Sequence, residues 1–253
     1  MSLRIGDAIG DGVRRAFTYS GGVLMVLVFG YQLLFVGSVN RITAAFLPAE
    51  AQAAGGLGLV LAVPVAVAGG LVAVGFILGT ALYLAATRAL TRRRSELDSL
   101  SGELFTRRIG RATLSALGAN LVVSTAVMVG FVFLVVPGLF AALSFLFVVF
   151  AVGVEDERAI GAMRRSWELA SGDRWPLLGL LIIVAVITGV GSALGSALSL
   201  VDPVAAKVAS LALSSVFAVV GYGILADAYL QLSEENPGGP DGGEPTLDAD
   251  PMA

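Results

Sequence analysis

Six long apolar stretches alternate with short polar segments along this chain, and the cationic side chains fall almost entirely in every second polar segment. The opening segment holds Arg4, Arg14 and Arg15. The one after the second apolar stretch holds Arg88, Arg92, Arg93, Arg94, Arg107, Arg108 and Arg111. The one after the fourth holds Arg158, Arg164, Arg165 and Arg174. The opposite side receives only Arg41 and Lys207, a division of fourteen against two. Cationic loops resist translocation, so this asymmetry orients a polytopic protein with its basic loops in the cytoplasm. The pattern predicts an all-α integral membrane protein, a bundle of six transmembrane helices with both termini cytoplasmic in the cell membrane.

Composition agrees. The 253 residues are 57% hydrophobic and 14% charged, against roughly 25% charged in a soluble domain. Six crossings of about 20 residues occupy roughly half the chain, which leaves no segment long enough for a separate soluble core. There is no Cys and no His, so thiol chemistry, disulfides, cysteine metal sites and histidine bases are excluded. Basic charge is carried by fifteen Arg and one Lys. Together with abundant Ala, Gly and Val and an acidic tail, this suits a salt-adapted prokaryote. The first apolar run starts only at Gly21 and lacks a small-residue cleavage site, so it is expected to be retained rather than removed as a signal peptide.

Three regions follow. Residues 1–20 are expected to form an amphipathic interface helix: Ser2 is a candidate N-cap, Ile5, Ile9, Val13 and Phe17 lie on one stripe, and Arg4, Asp7, Asp11 and Arg15 are polar. Residues 21–232 carry the membrane domain, and the acidic, Pro- and Gly-rich residues 233–253 are expected to be disordered. Crossings are placed at 21–39, within 57–87, at 112–136, 139–154, 177–200 and 204–232, with an outside loop from Asn40 to Gly56. The second stretch would span about 46 Å as one helix, so tilt or a start above the membrane before Pro64 is expected. Residues 112–154 would span about 65 Å and must contain two crossings. Pro137-Gly138 is the obvious turn between them. A second surface helix is expected over 157–171, between the fourth and fifth crossings. Its apolar stripe would be Ile160, Met163, Trp167 and Ala170, with Arg164 and Arg165 off the stripe and Gly172 closing it. Asp173 is a candidate cap for the helix that follows.

Few residues could carry chemistry. A serine or aspartyl intramembrane protease would need a His partner or a second intramembrane carboxylate, and only Asp227 is a candidate. It reads either as functional or as an interface residue. Glu155-Asp156-Glu157 is expected to cap the following helix, since three consecutive residues cannot converge on one cation without distant ligands. Asn120, Gln32, Ser124 and Thr125 fit either interhelical hydrogen bonds or a substrate path. Gly191, Gly195 and Ser199 form a small-residue ridge suited to a partner helix. No nucleotide loop of the right spacing is present. Hence no catalytic, cofactor or metal residue is assigned, and no nucleic-acid partner is expected. The Arg92–Arg94 and Arg107-Arg108 clusters serve topology or contact anionic headgroups.

One region resembles a known family. Val136-Pro137-Gly138-Leu139, an apolar run ending at Glu155, then Ala162-Met163-Arg164-Arg165-Ser166-Trp167-Glu168-Leu169 with Gly172 and Trp175, is similar to the membrane domain attached to some bacterial glycerophosphoryl diester phosphodiesterases and its stand-alone prokaryotic relatives. In the fused proteins the chemistry belongs to a separate soluble domain. The resemblance therefore implies a membrane bundle and no activity. Trp167 and Trp175 are the only tryptophans, and both fall in this segment. Indole favours the headgroup layer, where Arg164 and Arg165 could meet lipid phosphates. The function expected is a non-catalytic bundle that organises lipid or a membrane-protein partner. The alternative is a small-solute transporter or channel subunit.

Overall fold

The apolar stretches fold as helices in the computed structural model, which describes residues 3–48, 50, 58–98, 102, 108–197 and 203–235. The side chains of Arg94 and of residues 190–203 lie outside that description. The described elements are α1 (Ile5–Ala16), α2 (Tyr19–Phe46), α3 (Val65–Leu90), a 3₁₀ turn (Arg94–Glu96), α4 (Ile109–Phe133), α5 (Val135–Ser144), α6 (Val148–Val154), α7 (Ala159–Ala170), α8 (Arg174–Ala197) and α9 (Pro203–Glu235). By length and composition α2, α3, α4, the α5–α6 run and α9 could each cross a membrane. The α7–α8 pair, bent by 103°, brings the number to as many as six.

The helix starts follow local chemistry. Thr18 caps α2, its hydroxyl accepting from the Gly21 N–H at 3.3 Å. Pro64 stands at the N-cap of α3, so the long second stretch begins its helix there. α2 runs on to Phe46, well past the expected loop start at Asn40. The reason is that Asn40 and Arg41 bind the returning chain: Asn40 Nδ2 donates to the Leu59 carbonyl at 2.9 Å and Arg41 Nε to that of Val63 at 2.8 Å.

The reversal expected at Pro137-Gly138 lies instead at Leu134, a single extended residue with φ −163° and ψ 147°. Pro137 sits in the first turn of α5, where a helix has no use for its missing N–H. Gly138 lies against Gly130 with no room for a Cβ on either, which lets the two arms close immediately below the turn. The α5–α6 run breaks at Phe145–Phe147. At the other end α9 takes in residues 233–235, assigned above to the tail; residues 236–253 lie outside the described set.

α3 and α9 run in one direction, with Tyr83 stacked on Tyr222 at 5.1 Å. α2 and α8 run the other way: Gly75 packs on Phe35, Gly79 on Tyr31 and Gly221 on Val184. These helices meet α1 and α5 in one hydrophobic core. A second core joins Leu84 of α3 to Ala112, Ala116 and Ala119 of α4, Val148 and Val152 of α6, and Ala162 of α7. α1, expected as an interface helix, packs closely on α9. Gly12 presses against the Ile224 backbone of α9, and Gly223 against the Gly12 carbonyl. The fully covered face of α1 is Ala8, Gly12, Arg15 and Ala16. Ile5, Ile9 and Val13 of the expected stripe are only partly covered, and Phe17 is 68% exposed.

Candidate functional site

Charge buried at the edge of an apolar bundle must be paired, and the arginine-rich end shows how this chain does it. Arg15, expected on the polar face of α1, is buried. Its Nε donates to Asp227 Oδ1 at 3.2 Å, and its Nη1 donates to the Leu90 and Arg92 carbonyls at 3.1 and 2.8 Å. Those two carbonyls belong to the end of α3 and the residues just past it, where helical C=O groups lack partners. Gln231 Nε2 donates to Asp227 Oδ2 at 3.0 Å, and Gln231 Oε1 accepts from the Arg4 N–H at 3.1 Å. Asp173, expected to cap its own helix, accepts from the Leu3 N–H at 3.1 Å. The start of α1 is thus capped by side chains of α9 and of the α7–α8 corner. The proposed Ser2 cap lies outside the described residues.

The second cluster is built from the segment whose residues carry the family resemblance. The Glu155 carboxylate accepts from Arg165 Nε at 3.1 and 3.2 Å and from the Tyr229 hydroxyl. Ser166 mends the break between α5 and α6: its hydroxyl donates to the Ser144 carbonyl at 2.9 Å and accepts from the Phe147 N–H at 3.1 Å. Trp167 packs edge-on to Phe140 and against Phe145 at centroid distances of 5.4 and 5.9 Å. Arg165, Ser166 and Trp167 therefore each grip a different point of one apolar run.

This divides the expected stripe of α7: Ala170 is buried and Met163 packs on the second core, but Ile160 and Trp167 face outward, and Arg165, expected off the stripe, turns in. The buried face of the helix is Ala162, Arg165, Ser166, Leu169 and Ala170, while Ile160 is 80% and Trp167 41% exposed. Arg165 turns inward because Glu155 and Tyr229 lie there; Arg164 turns outward and, among the described residues, pairs with Glu168 at 3.0 Å. Gly172 does close the helix, with φ +111°. The acid run divides rather than capping α7 together. Asp156, at φ +54°, accepts from Arg88 Nη2 at 3.3 Å, while Arg88 Nε donates to the Gly153 carbonyl at 2.8 Å. A groove of about 820 Å³ with charged edges runs between Arg111 and Ser115 on one side and Asp156, Glu157 and Arg158 on the other, with Leu114 and Ile160 also lining it.

At the outer rim of the cluster, the Arg174 guanidinium lies over Phe140 at 4.4 Å and over Trp167 at 5.2 Å. Its Nε is buried with no hydrogen-bond partner among the described residues. Trp175 beside it is 83% exposed. The sequence reading singled out Arg164, Arg165, Trp167 and Trp175. The structure keeps three of these at the surface, buries Arg165, and adds Arg174. The signal for Arg174 was its place between Asp173 and Trp175 at the mouth of an apolar stretch.

Other assignments fall away from this cluster. Asp227 is buried and paired. Asn120, Ser124 and Thr125 are exposed on α4, and the Thr125 hydroxyl binds its own helix at Leu121, so they do not join helices within the chain. Gly191 and Gly195 belong to α8 at positions where side-chain packing is not described, and Ser199 lies outside the described residues. In the apolar length, a cleft of about 350 Å³ between α2 and α3 is lined by Leu27, Tyr31, Leu34, Phe35 and Leu78, with Ile109 at one end.

A family model covers residues 3–232 of this chain, and the chain belongs to that family, described as a domain of unknown function (DUF7847). No curated protein and no solved structure matches it.

Proposed function

We propose, starting from a family membership that assigns no activity, that this protein is a non-catalytic bundle of the cell membrane whose basic end binds anionic lipid headgroups. Both termini then lie in the cytoplasm, because the basic loops stay on that side. The observation that carries the reading is the division of labour among the arginines. Arg15, Arg88 and Arg165 neutralise Asp227, Asp156 and Glu155 inside the protein. Arg174 is held against two aromatic rings with no carboxylate partner among the described residues, beside exposed Trp175 and exposed Arg164. A guanidinium held on an indole and a phenyl ring, beside an exposed Trp, suits a phosphate, which it meets with charge-assisted hydrogen bonds. The apolar lining of the α2–α3 cleft favours this reading over a small-solute carrier, which places polar groups near mid-membrane.

The two tryptophans report on the site directly, since no other indole is present. In vesicles whose headgroups are matched apart from charge, a brominated anionic phospholipid should quench the intrinsic fluorescence more than its brominated zwitterionic counterpart. Arg174→Gln should remove most of the difference. Equal quenching by the two lipids in the parent protein would exclude headgroup selection at this site.

A further inference from the structure

The arms of the α4–α5–α6 hairpin are long enough to cross a bilayer, yet their contacts describe another path. Arg15 binds the Leu90 carbonyl and Asp227, so the end of α3 is level with Asp227, about two turns before the end of α9. Asp173 and Gln231 both hold the start of α1, so the start of α8 is level with them. Phe140 lies beneath Arg174 at that end. Phe147 packs on Tyr229 at 5.8 Å, and Phe150 on Tyr229 and Tyr222 at 5.4 and 6.1 Å. Gly153 meets Thr87, and Glu155 meets Tyr229 again. Residues 140–156 would cover about 24 Å as one helix. Yet Phe140 lies at Arg174 and Asp156 meets Arg88 at 3.3 Å, both at the arginine-rich end. The segment begins and ends at that level and so runs across it.

The tip is poorly suited to water. Val132, Phe133, Leu134, Val135 and Val136 are 66–78% exposed, and no polar side chain occurs between Thr125 and Ser144. An aqueous turn of this composition would be costly at about 25 cal/mol per Å² of apolar surface. The turn is instead fitted to lipid. Its one extended residue has both backbone groups engaged, the Leu134 N–H donating to Gly130 O at 2.9 Å and the Leu134 carbonyl accepting from Gly138 N at 3.4 Å, as hydrocarbon requires. Asn120 is a second, independent sign. In a full crossing its exposed amide would face acyl chains near mid-bilayer, about 16 Å along α4. An oblique hairpin brings it to the headgroup layer.

We propose that residues 109–154 form a hairpin inserted from the arginine-rich side only. Its tip at Phe131–Val136 dissolves among the acyl chains of that leaflet, and the chain crosses the bilayer with four helices, α2, α3, α8 and α9. This rests on the membrane orientation proposed above, and the test separates the two. The native chain has no Cys, so single cysteines can be placed at Ala62, Ser95 and Leu134 and treated with a membrane-impermeant maleimide. The orientation requires A62C to label in intact cells and S95C only in inverted vesicles; the reverse overturns that orientation. The hairpin requires L134C to resist label from both sides and to label fully in detergent. A fluorophore attached there should be quenched by lipids brominated on the acyl chain. Labelling of L134C in intact cells would mean a full crossing and would overturn the proposal. Labelling in inverted vesicles would put the tip in water or against a soluble partner, and failure to label even in detergent would mean a second copy covers it; either overturns the proposal.

Discussion

Residues 147–155 and residues 131–136 belong to one hairpin and are almost equally apolar in sequence, yet they sit in opposite surroundings. In the first stretch Phe147, Phe150, Ala151 and Val152 are buried against three other helices, and a carboxylate at its end holds an arginine and a tyrosine. In the second, Phe133 and Val136 are three-quarters exposed and contact little beyond the opposite arm. Hydropathy cannot separate the two, because lipid and a protein interior reward the same side chains. Polar punctuation separates them. Glu155, Ser144 and the Arg165-Ser166 pair anchor the first stretch, and nothing anchors the second. If that is the correct lesson, stability should depend steeply on the anchoring groups and hardly at all on the tip.

The strongest break should come from Arg165→Ala, which leaves Glu155 partly buried and short of its charge partner. Loss of one member of such a pair typically costs about 3–5 kcal/mol, so the detergent unfolding midpoint should fall sharply. Arg165→Met combined with Glu155→Gln should recover most of that loss, because the stranded charge is then gone. A double variant as unstable as Arg165→Ala would show that packing, not charge, holds α7.

Next in size is the α1–α9 contact. A Cβ at Gly12 would meet the Ile224 backbone, which cannot swing aside as a side chain can. Gly12→Val should cost about 1–3 kcal/mol by overpacking and should speed hydrogen exchange across Ile5–Ala16. Gly10 has open space around its Cβ position, so Gly10→Ala should be neutral or favourable by about 0.5–1 kcal/mol. Matching exchange rates in the two variants would mean α1 is not seated on α9.

Ser166→Ala should come third. It strips the Phe147 N–H and the Ser144 carbonyl of a partner at a buried helix break, for about 1–3 kcal/mol. Exchange at residues 144–148 should rise while α8 keeps its protection.

These positions also mark what was legible in the sequence. The helical class and the presence of several long apolar helices could be read from run length, because it acts locally. The closing Gly172 could be read for the same reason. The path of the hairpin could not, since 112–154 contains no charge to report its depth. The inward turn of Arg165 was not legible, because the apolar stripe and the polar pairing stripe of α7 compete. Ile160, Met163 and Trp167 carry more hydrophobic area, but Arg165 and Ser166 satisfy groups that would otherwise be buried alone, and the second effect wins. That partner information is nonlocal. Nothing near Arg165 in sequence points to Tyr229, and nothing near Arg15 points to Asp227.

The finest distinction lies on the exposed half of α7. Trp167 is 41% exposed, so Trp167→Ala forfeits only part of an aromatic's burial, its contacts with Phe140 and Phe145, and its share of the Arg174 cation. The sum is about 1–2 kcal/mol. Glu168 meets only Arg164 across one helical turn on the surface, and Glu168→Gln should cost less than about 0.5 kcal/mol. Stability alone would not tell whether Trp167 acts through packing or through Arg174, so the decisive measurement is a double-mutant cycle of Trp167→Ala with Arg174→Gln. A coupling of about 0.5–1 kcal/mol is expected if the guanidinium sits on the indole in the membrane-embedded protein. Strict additivity would detach Arg174 from the aromatic pair, and would remove the geometric support for the proposed phosphate site.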